Sequence, residues 1–170
     1  MDDNKFLSIV KHAYATKKYR PVGVAMIYDK DGRFLIAQSA KGEECWSFPQ
    51  GGVDPGETID ACIERELREE TGIELRRDLS DVRHHVYHDR LPAAPGRKDK
   101  RGFTRGKEYF FTLARYVGNG RLSIQRDELR DARWLSYDEA LEFFSKGRPR
   151  KAVMLTRAIK KARIIIGKKE

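Results

Sequence analysis

The sequence predicts an α/β fold in which a mixed central sheet is flanked by helices on both faces, an α/β/α sandwich. Three observations predict it. Apolar, β-rich runs at 22–28, 34–37 and 109–117 are interleaved with segments of helical period at 4–15, 59–71 and 151–166. Turn signals as tight as Asp31-Gly32 suit antiparallel hairpins, which favours a mixed sheet over a doubly wound parallel one. A chain of 170 residues can bury a rigid core unaided, so 1–170 reads as one domain: an N-terminal helix within 1–19, a core over 20–145 and a basic C-terminal helix within 146–170.

Taken in order, residues 4–15 place Phe6, Ile9, Val10 and Ala13 at helical spacing behind Asn4, a residue suited to an N-cap. Lys17, Lys18 and Arg20 lead through Pro21 into the first strand, and Asp31-Gly32 turns the chain back into the second. In CWSFPQGG, 45–52, Pro49 and the paired glycines predict irregular backbone, anchored by Trp46 and Phe48. Asp54-Pro55-Gly56 is a turn, Thr58 an N-cap and Gly72 a C-cap. Together they predict a helix over 59–71 with Ile59, Cys62, Ile63 and Leu67 on its apolar side. A third strand is expected over 82–88. Residues 89–108, with Pro92, Pro95, Gly96, Gly102 and Gly106, read as a long loop, and loops of this length are functional or disordered. Strands at 109–117, 121–124 and 132–135 follow. Ser136 with Glu139 makes a capping box for a helix reaching Phe144, and the last helix carries Ala152, Leu155, Ile159, Ala162 and Ile166 on one face, with Gly167 behind it.

Composition narrows the chemistry. No apolar run approaches membrane-spanning length, and residues 1–19 lack the apolar core of a secretory signal, so a cytoplasmic protein without a membrane partner is expected. Cys45 and Cys62 are the only cysteines, which excludes a disulfide framework and a Cys-rich zinc site. The 35 Lys and Arg against 26 Asp and Glu give a net charge of +9, gathered after residue 89. Such a surface attracts phosphates, nucleotides or nucleic acid, and it equally serves solubility.

The densest chemistry lies in 51–73, GGVDPGETIDACIERELREETGI, where a glycine-rich loop enters the helix at 59–71. Residues three and four apart share a helix face, so Glu66, Glu69 and Glu70 present carboxylates to one region. That is a hard-cation site in outline, suited to Mg²⁺ bridging to substrate phosphates, or else a solvated acidic face. Exposed like-charge pairs differ by only a few tenths of a kcal/mol, so charge alone does not choose between them.

The whole pattern chooses. Gly51, Glu57, Arg65-Glu66-Leu67, Glu69-Glu70 and Gly72-Ile73 fill every specified position of G-x5-E-x7-R-E-U-x-E-E-x-G-U, with U aliphatic. Chance agreement is on the order of one in a billion per window at average residue frequencies. The stretch resembles the Nudix box. The resemblance implies the Nudix fold and hydrolysis of a nucleoside diphosphate linked to another group. It also implies Glu66, Glu69 and Glu70 as Mg²⁺ or Mn²⁺ ligands beside Gly51, and Glu57 with Arg65 as the pair that braces loop against helix. Glu69 or a nearby carboxylate would take the proton of the attacking water.

WSFPQGG is further similar to the RNA pyrophosphohydrolase and bacterial dinucleoside polyphosphate hydrolase branch. Arg20-Pro21, GKEYFF at 106–111 and DELRDARWLSYDEA at 127–140 also look like that branch, and together these likenesses span roughly 20–144. By matching position, Glu128 would be an added metal ligand or base; an ordinary surface glutamate is the alternative. The branch usually carries an arginine after the second strand, where Gln38-Ser39-Ala40-Lys41 stands here with Lys41 as the substitute. It also carries an aromatic-lysine pair where this chain has Pro149-Arg150-Lys151. These departures bear on RNA-end recognition more than on hydrolysis.

The resulting expectation is an Mg²⁺-dependent hydrolase of dinucleoside polyphosphates or 5′-triphosphorylated RNA. A (d)NTP or nucleotide-sugar pyrophosphatase is the rival enzyme, and a non-catalytic nucleotide- or RNA-binding module the rival of another class. Intact Glu66, Glu69 and Glu70 count against the last. Around the box, the basic residues from Arg90 to Lys107, among them Arg105, form either a phosphate-binding arm or a mobile solvated loop. Tyr87, Phe103 and Tyr109 are candidates for stacking on a base, although strand aromatics are more often core. Alternation places His84 and His88 on one face of their strand and His85 on the other, which disfavours a metal site there.

Overall fold

The computed structural model describes residues 2–41, 45–75 and 84–168. The expected sandwich is present. Helix α1 (Asp3–Thr16) precedes strands β1 (Tyr19–Tyr28), β2 (Phe34–Ser39), β3 (Trp46–Ser47) and β4 (Gln50–Gly52). Helix α2 (Ile59–Thr71), strands β5 (His84–Pro92), β6 (Gly106–Arg115) and β7 (Leu129–Leu135), and helices α3 (Tyr137–Ser145) and α4 (Pro149–Gly167) follow.

The sheet runs β3-β2-β1-β6-β5, with β4 also paired to β1 and β7 to β2. It is mixed: β1 and β6 run parallel over their whole length, while the other pairs are antiparallel. Strand alternation then divides the core. Val24, Met26, Phe34, Ile36, Tyr109 and Phe111 face α3 and α4. On the other face Ala25, Ile27, Leu35 and Phe110 meet Phe6 and Val10 of α1 and Cys62, Ile63 and Leu67 of α2. The β1 strand is buried on both faces, so its apolar run is nearly continuous.

Helix α2 has the expected bounds because both ends are set locally. The Thr58 side chain accepts from the Ala61 N–H, and Gly72 ends the helix in the left-handed region at φ 71°. A Cβ on Gly72 would also lie 2.9 Å from Ser123 Cβ. Gly72→Ala is therefore expected to lower stability by about 1–2 kcal/mol, read as the shift in urea midpoint at unchanged slope.

Several expectations are corrected. Asp2, not Asn4, caps α1, its carboxylate accepting from the Lys5 N–H at 2.9 Å. CWSFPQGG is not wholly irregular: Trp46–Ser47 pairs with β2 and Gln50–Gly52 with β1, while Pro49, which has no N–H to give, accepts from the Ala25 N–H at 2.9 Å. Residues 121–124 form no strand; the Ser123 and Gln125 N–H groups instead cap the Thr71 and Glu70 carbonyls at the end of α2. Helix α4 starts at Pro149 and retains Gly167. Of the strand expected at 82–88, Val82 and Arg83 lie outside the described residues. The strand itself continues to Pro92, and with β6 beginning at Gly106 the loop shrinks to 93–105.

A register shift between His85 and Tyr87 breaks the alternation in β5. His85 and His88 consequently both pack on Phe110, with ring centroids 6.0 and 5.9 Å away. Burial pushes the His85 imidazole down to about 4. Among the described residues no group of three His, Cys, Asp or Glu side chains draws together here or elsewhere as a closed metal cluster.

Candidate active site

The loop from Gly51 to Glu57 is clamped to α2 by one guanidinium. Arg65 Nε and Nη2 donate to the two Glu57 carboxylate oxygens at 2.9 and 3.0 Å, Nη2 also reaches the Gly52 carbonyl at 3.1 Å, and Nη1 donates to Glu66 Oε1 at 2.6 Å. Glu57 completes the clamp by accepting the Asp54 N–H at 2.9 Å. The planar fork suits this bidentate arrangement, which a lysine cannot reproduce. The acidic partners raise the Arg65 pKa further. Glu66 lies flat against Gly51, where a Cβ would overlap its carboxylate. This close approach is why glycine stands there.

The three helix carboxylates share a side of α2 but not a single point. Glu66 is held by Arg65, Glu69 is 60% exposed and 3.5 Å from Arg65 Nη1, and Glu70 is buried at 8% exposure. The Gln50 backbone N–H bonds the Glu70 carboxylate, yet Glu70 Oε2 has no hydrogen-bond partner among the described residues. Burial first, and then the charges of Glu66 and Glu128, push the Glu70 carboxyl up to about 8. Its position in the last turn of α2 adds to this, because a helix C-terminus disfavours negative charge.

Glu128 arrives from outside the helix. Residues 121–125 lie along the C-terminal carbonyls of α2, the Glu128 N–H bonds the Gln125 carbonyl at 3.0 Å, and its own carbonyl accepts from Ala40 at 2.8 Å. This places the Glu128 side chain across a cavity from Glu70, in a lining that includes Cys45, Gln50 and Lys151. Lys41 Nζ lies 2.5 Å from Glu128 Oε1, so its charge is paired with this carboxylate.

Cations collect on the other side. Lys151 and Lys107 are both desolvated, which lowers the pKa of each; Lys151 also feels Lys107 and Arg148, and Lys107 feels Arg20. Arg20 lies against Gly52, 3.8 Å from Asp99, and its buried Nε has no hydrogen-bond partner among the described residues. Tyr109 lines the adjoining cavity of about 380 Å³ with Lys107 and Arg148, and burial pushes its hydroxyl up to about 12.

Two sequence candidates are not brought to this site. Tyr87 packs on Phe111 at 5.6 Å with Lys161 over its ring and its hydroxyl on Asp89 at 2.6 Å, making it part of the α4 contact. Arg105 lines a separate cavity with Ser8 and His12 of α1. The basic arm is likewise tied down at several points. Arg101 donates to Asp54 at 2.6 Å and to the Tyr14 hydroxyl at 2.8 Å, holding the Asp54 carboxyl below its usual range, while the Thr104 and Arg105 N–H groups bond Lys17 and Lys18 carbonyls. Phe103 is buried, 5.3 Å from the Tyr14 ring, and does not await a base.

Sequence reasoning passed over Arg148 and gave Gln50 no role of its own, although both adjoin motifs already singled out. Arg101 reads from sequence as one of the basic residues of the arm, and its pairing with Asp54, 47 residues away, leaves no local signal.

A loop–helix clamp beside carboxylates on one side of a helix, faced by a group of cations on an α/β/α frame, defines a protein built to handle phosphate chains. The family model described as NUDIX domain matches residues 17–157. RNA pyrophosphohydrolases from Erythrobacter litoralis and Photobacterium profundum are each 34% identical to the chain. The first aligns over 72% of this chain and 79% of its own length, the second over 70% and 71%. Among solved structures, a C. elegans Ap4A hydrolase binary complex superposes with a TM-score of 0.58 at 18% identity, covering 86% of this chain and 98% of that one. The NUDIX domain of Shewanella oneidensis NrtR, complexed with ADP ribose, gives 0.62 at 17% identity, covering 98% and 99%. The chain belongs to the Nudix hydrolases, a family that generally uses divalent metal ions, and is a pyrophosphohydrolase. No helix of the described residues is long and apolar enough to cross a membrane.

Proposed function

We propose that the protein removes pyrophosphate from the 5′ end of triphosphorylated RNA, leaving a 5′ monophosphate, with dinucleoside polyphosphates as second substrates and the cytoplasm as the setting. The observation that carries the reading is the cavity shared by an unpartnered, buried Glu70 oxygen and by Lys151, beside the desolvated Lys107. Carboxylates there need a cation, and the lysines need anions. The relatives' names support RNA as the first substrate.

The donors fit a hard divalent ion. Carboxylate oxygens of Glu66, Glu69, Glu70 and Glu128, with the Gly51 carbonyl, would hold Mg²⁺ or Mn²⁺, and the unpartnered Glu70 oxygen is where a cation removes an existing repulsion. When bound, such an ion neutralises phosphate charge and acidifies a water molecule. Arg20, Lys107, Arg148 and Lys151 hold the phosphate chain by charge-assisted hydrogen bonds. Glu57 and Arg65 keep the loop in register with α2. Glu69, the most exposed of the helix carboxylates, takes the proton of the attacking water as the phosphoanhydride bond breaks.

The test is kcat/KM for 5′-triphosphorylated RNA, diadenosine tetraphosphate, dNTPs and ADP-ribose, with products identified. Triphosphorylated RNA is expected to lead the last two by about tenfold or more, the discrimination of roughly 1.4 kcal/mol that one well-made polar contact supplies. A dNTP or ADP-ribose in first place would remove the RNA reading.

A further inference from the structure

We infer that the substrate strand continues away from the phosphates along a track between β5 and the start of α4, which grips the nucleotides that follow the 5′ end. This inference rests on the RNA reading above and assigns a site beyond the hydrolytic centre. The cavity containing Lys107, Tyr109 and Arg148 shares Leu91 and Pro92 with a second cavity of about 380 Å³, walled by Arg150, Val153 and Arg157. Lys151, on the same turn of α4 as Arg150, lines the Glu70 cavity at the other end. The second and first cavities are thus continuous, and Lys151, close enough to feel the charges of Lys107 and Arg148, links them to the carboxylates.

Its chemistry alternates in the way a single strand requires. Leu91, Pro92, Pro149 and Val153 make an apolar floor, and Val153 is 49% exposed, one of few large hydrophobics left open to solvent among the described residues. Arg97 and Lys98 stand beside the first cavity, and Arg150 and Arg157 beside the second. Asp89 and Asp99 are the acidic groups lining the two cavities, against seven Lys and Arg side chains. Asp89 accepts the Tyr87 hydroxyl and the Arg90 N–H, and Arg157 also bonds that hydroxyl; Glu108 pairs with Arg90 at 3.2 Å; Asp99 Oδ1 accepts the Arg101 and Phe103 N–H groups, while its Oδ2 lies 3.8 Å from Arg20. A surplus of positive charge therefore remains for phosphates, while the floor suits bases, the combination used by grooves that bind single strands without reading sequence.

The test uses the full chain in Mg²⁺ and two 3′-fluorescein RNAs carrying a 5′ monophosphate, the reaction product, one of two nucleotides and one of about eight. Fluorescence anisotropy is expected to show the longer RNA binding about tenfold more tightly. The double variant R150E/R157E, both exposed positions, should bring the longer RNA down to the affinity of the shorter, leave the shorter unchanged, and reduce the salt slope by about 0.7 for each phosphate the variant no longer neutralises. An unchanged far-UV circular dichroism spectrum shows that the variant has folded. Equal binding of the two lengths by the unaltered protein, or retention of the difference by the variant, would overturn the track. Hydrolysis of a triphosphorylated dinucleotide is measured in parallel. Its absence would refute the RNA reading of the active site, whereas the track is judged on binding alone.

Discussion

Replacement of Glu70 by glutamine is expected to lower divalent-ion-dependent turnover by about 10²–10³-fold while raising the stability of the metal-free protein. The two effects have one cause. Glutamine keeps the size and the contact with the Gln50 N–H but removes the charge that burial, Glu66 and Glu128 oppose. The folded-state pKa of about 8 lies above the ordinary 4.5, so the folded protein binds this proton more tightly than the unfolded chain. That contribution is complete below 4.5 and is lost as pH rises through about 8. With chelator present, wild-type Tm should therefore fall over this interval, and Mg²⁺ should restore it. The glutamine variant should gain on the order of 2 kcal/mol at the alkaline end, about 4–8 °C in Tm. Equal metal-free Tm profiles for the two proteins would show that Glu70 is not held against its charge.

The second large effect concerns Arg65. Its removal leaves Glu57, whose side chain is only 14% exposed, without its bidentate partner and releases the Gly52 carbonyl and Glu66 together. Breaking one side of such a pair is strongly unfavourable, so Arg65→Ala should destabilise by about 3–5 kcal/mol in urea unfolding. Arg65→Lys keeps the charge and loses the fork, and should fall between the two. Adding Glu57→Gln to Arg65→Ala should recover part of the loss, because the stranded charge is gone. Additive losses would mean that the two residues act separately, and the clamp would not be the unit that holds the loop.

The parts that were legible in the sequence are those whose causes are local. Thr58 and Gly72 set the ends of α2 through hydrogen bonds and backbone angles within a few residues, and the spacing of the box follows the helix repeat. Ser136 and Glu139 behave the same way, each side chain bonding the other's backbone N–H. Where the deciding partner lay far along the chain, reading failed. Residues 121–124 have strand composition, but the Ser123 N–H, with that of Gln125, is claimed by the end of α2, and the Arg121 N–H by the Asn119 side chain. His85 changes face because a bulge inserts a residue into β5, which no periodicity count detects. Lys41 has the charge of a phosphate ligand and is paired with Glu128, 87 residues away. The gathering of Arg20, Lys107, Arg148 and Lys151 likewise depends on the parallel register of β1 with β6 and on where α4 begins.

The most direct test of the central claim, that buried carboxylates centred on Glu70 exchange a proton for a divalent ion, is calorimetric titration with Mg²⁺ near neutral pH in buffers of different ionisation enthalpy. Wild-type protein should bind the ion with release of a proton, since Glu70 is protonated below about 8, and Glu70→Gln should bind far more weakly with no release. Equal affinity in the two proteins, with heats independent of buffer, would contradict the account.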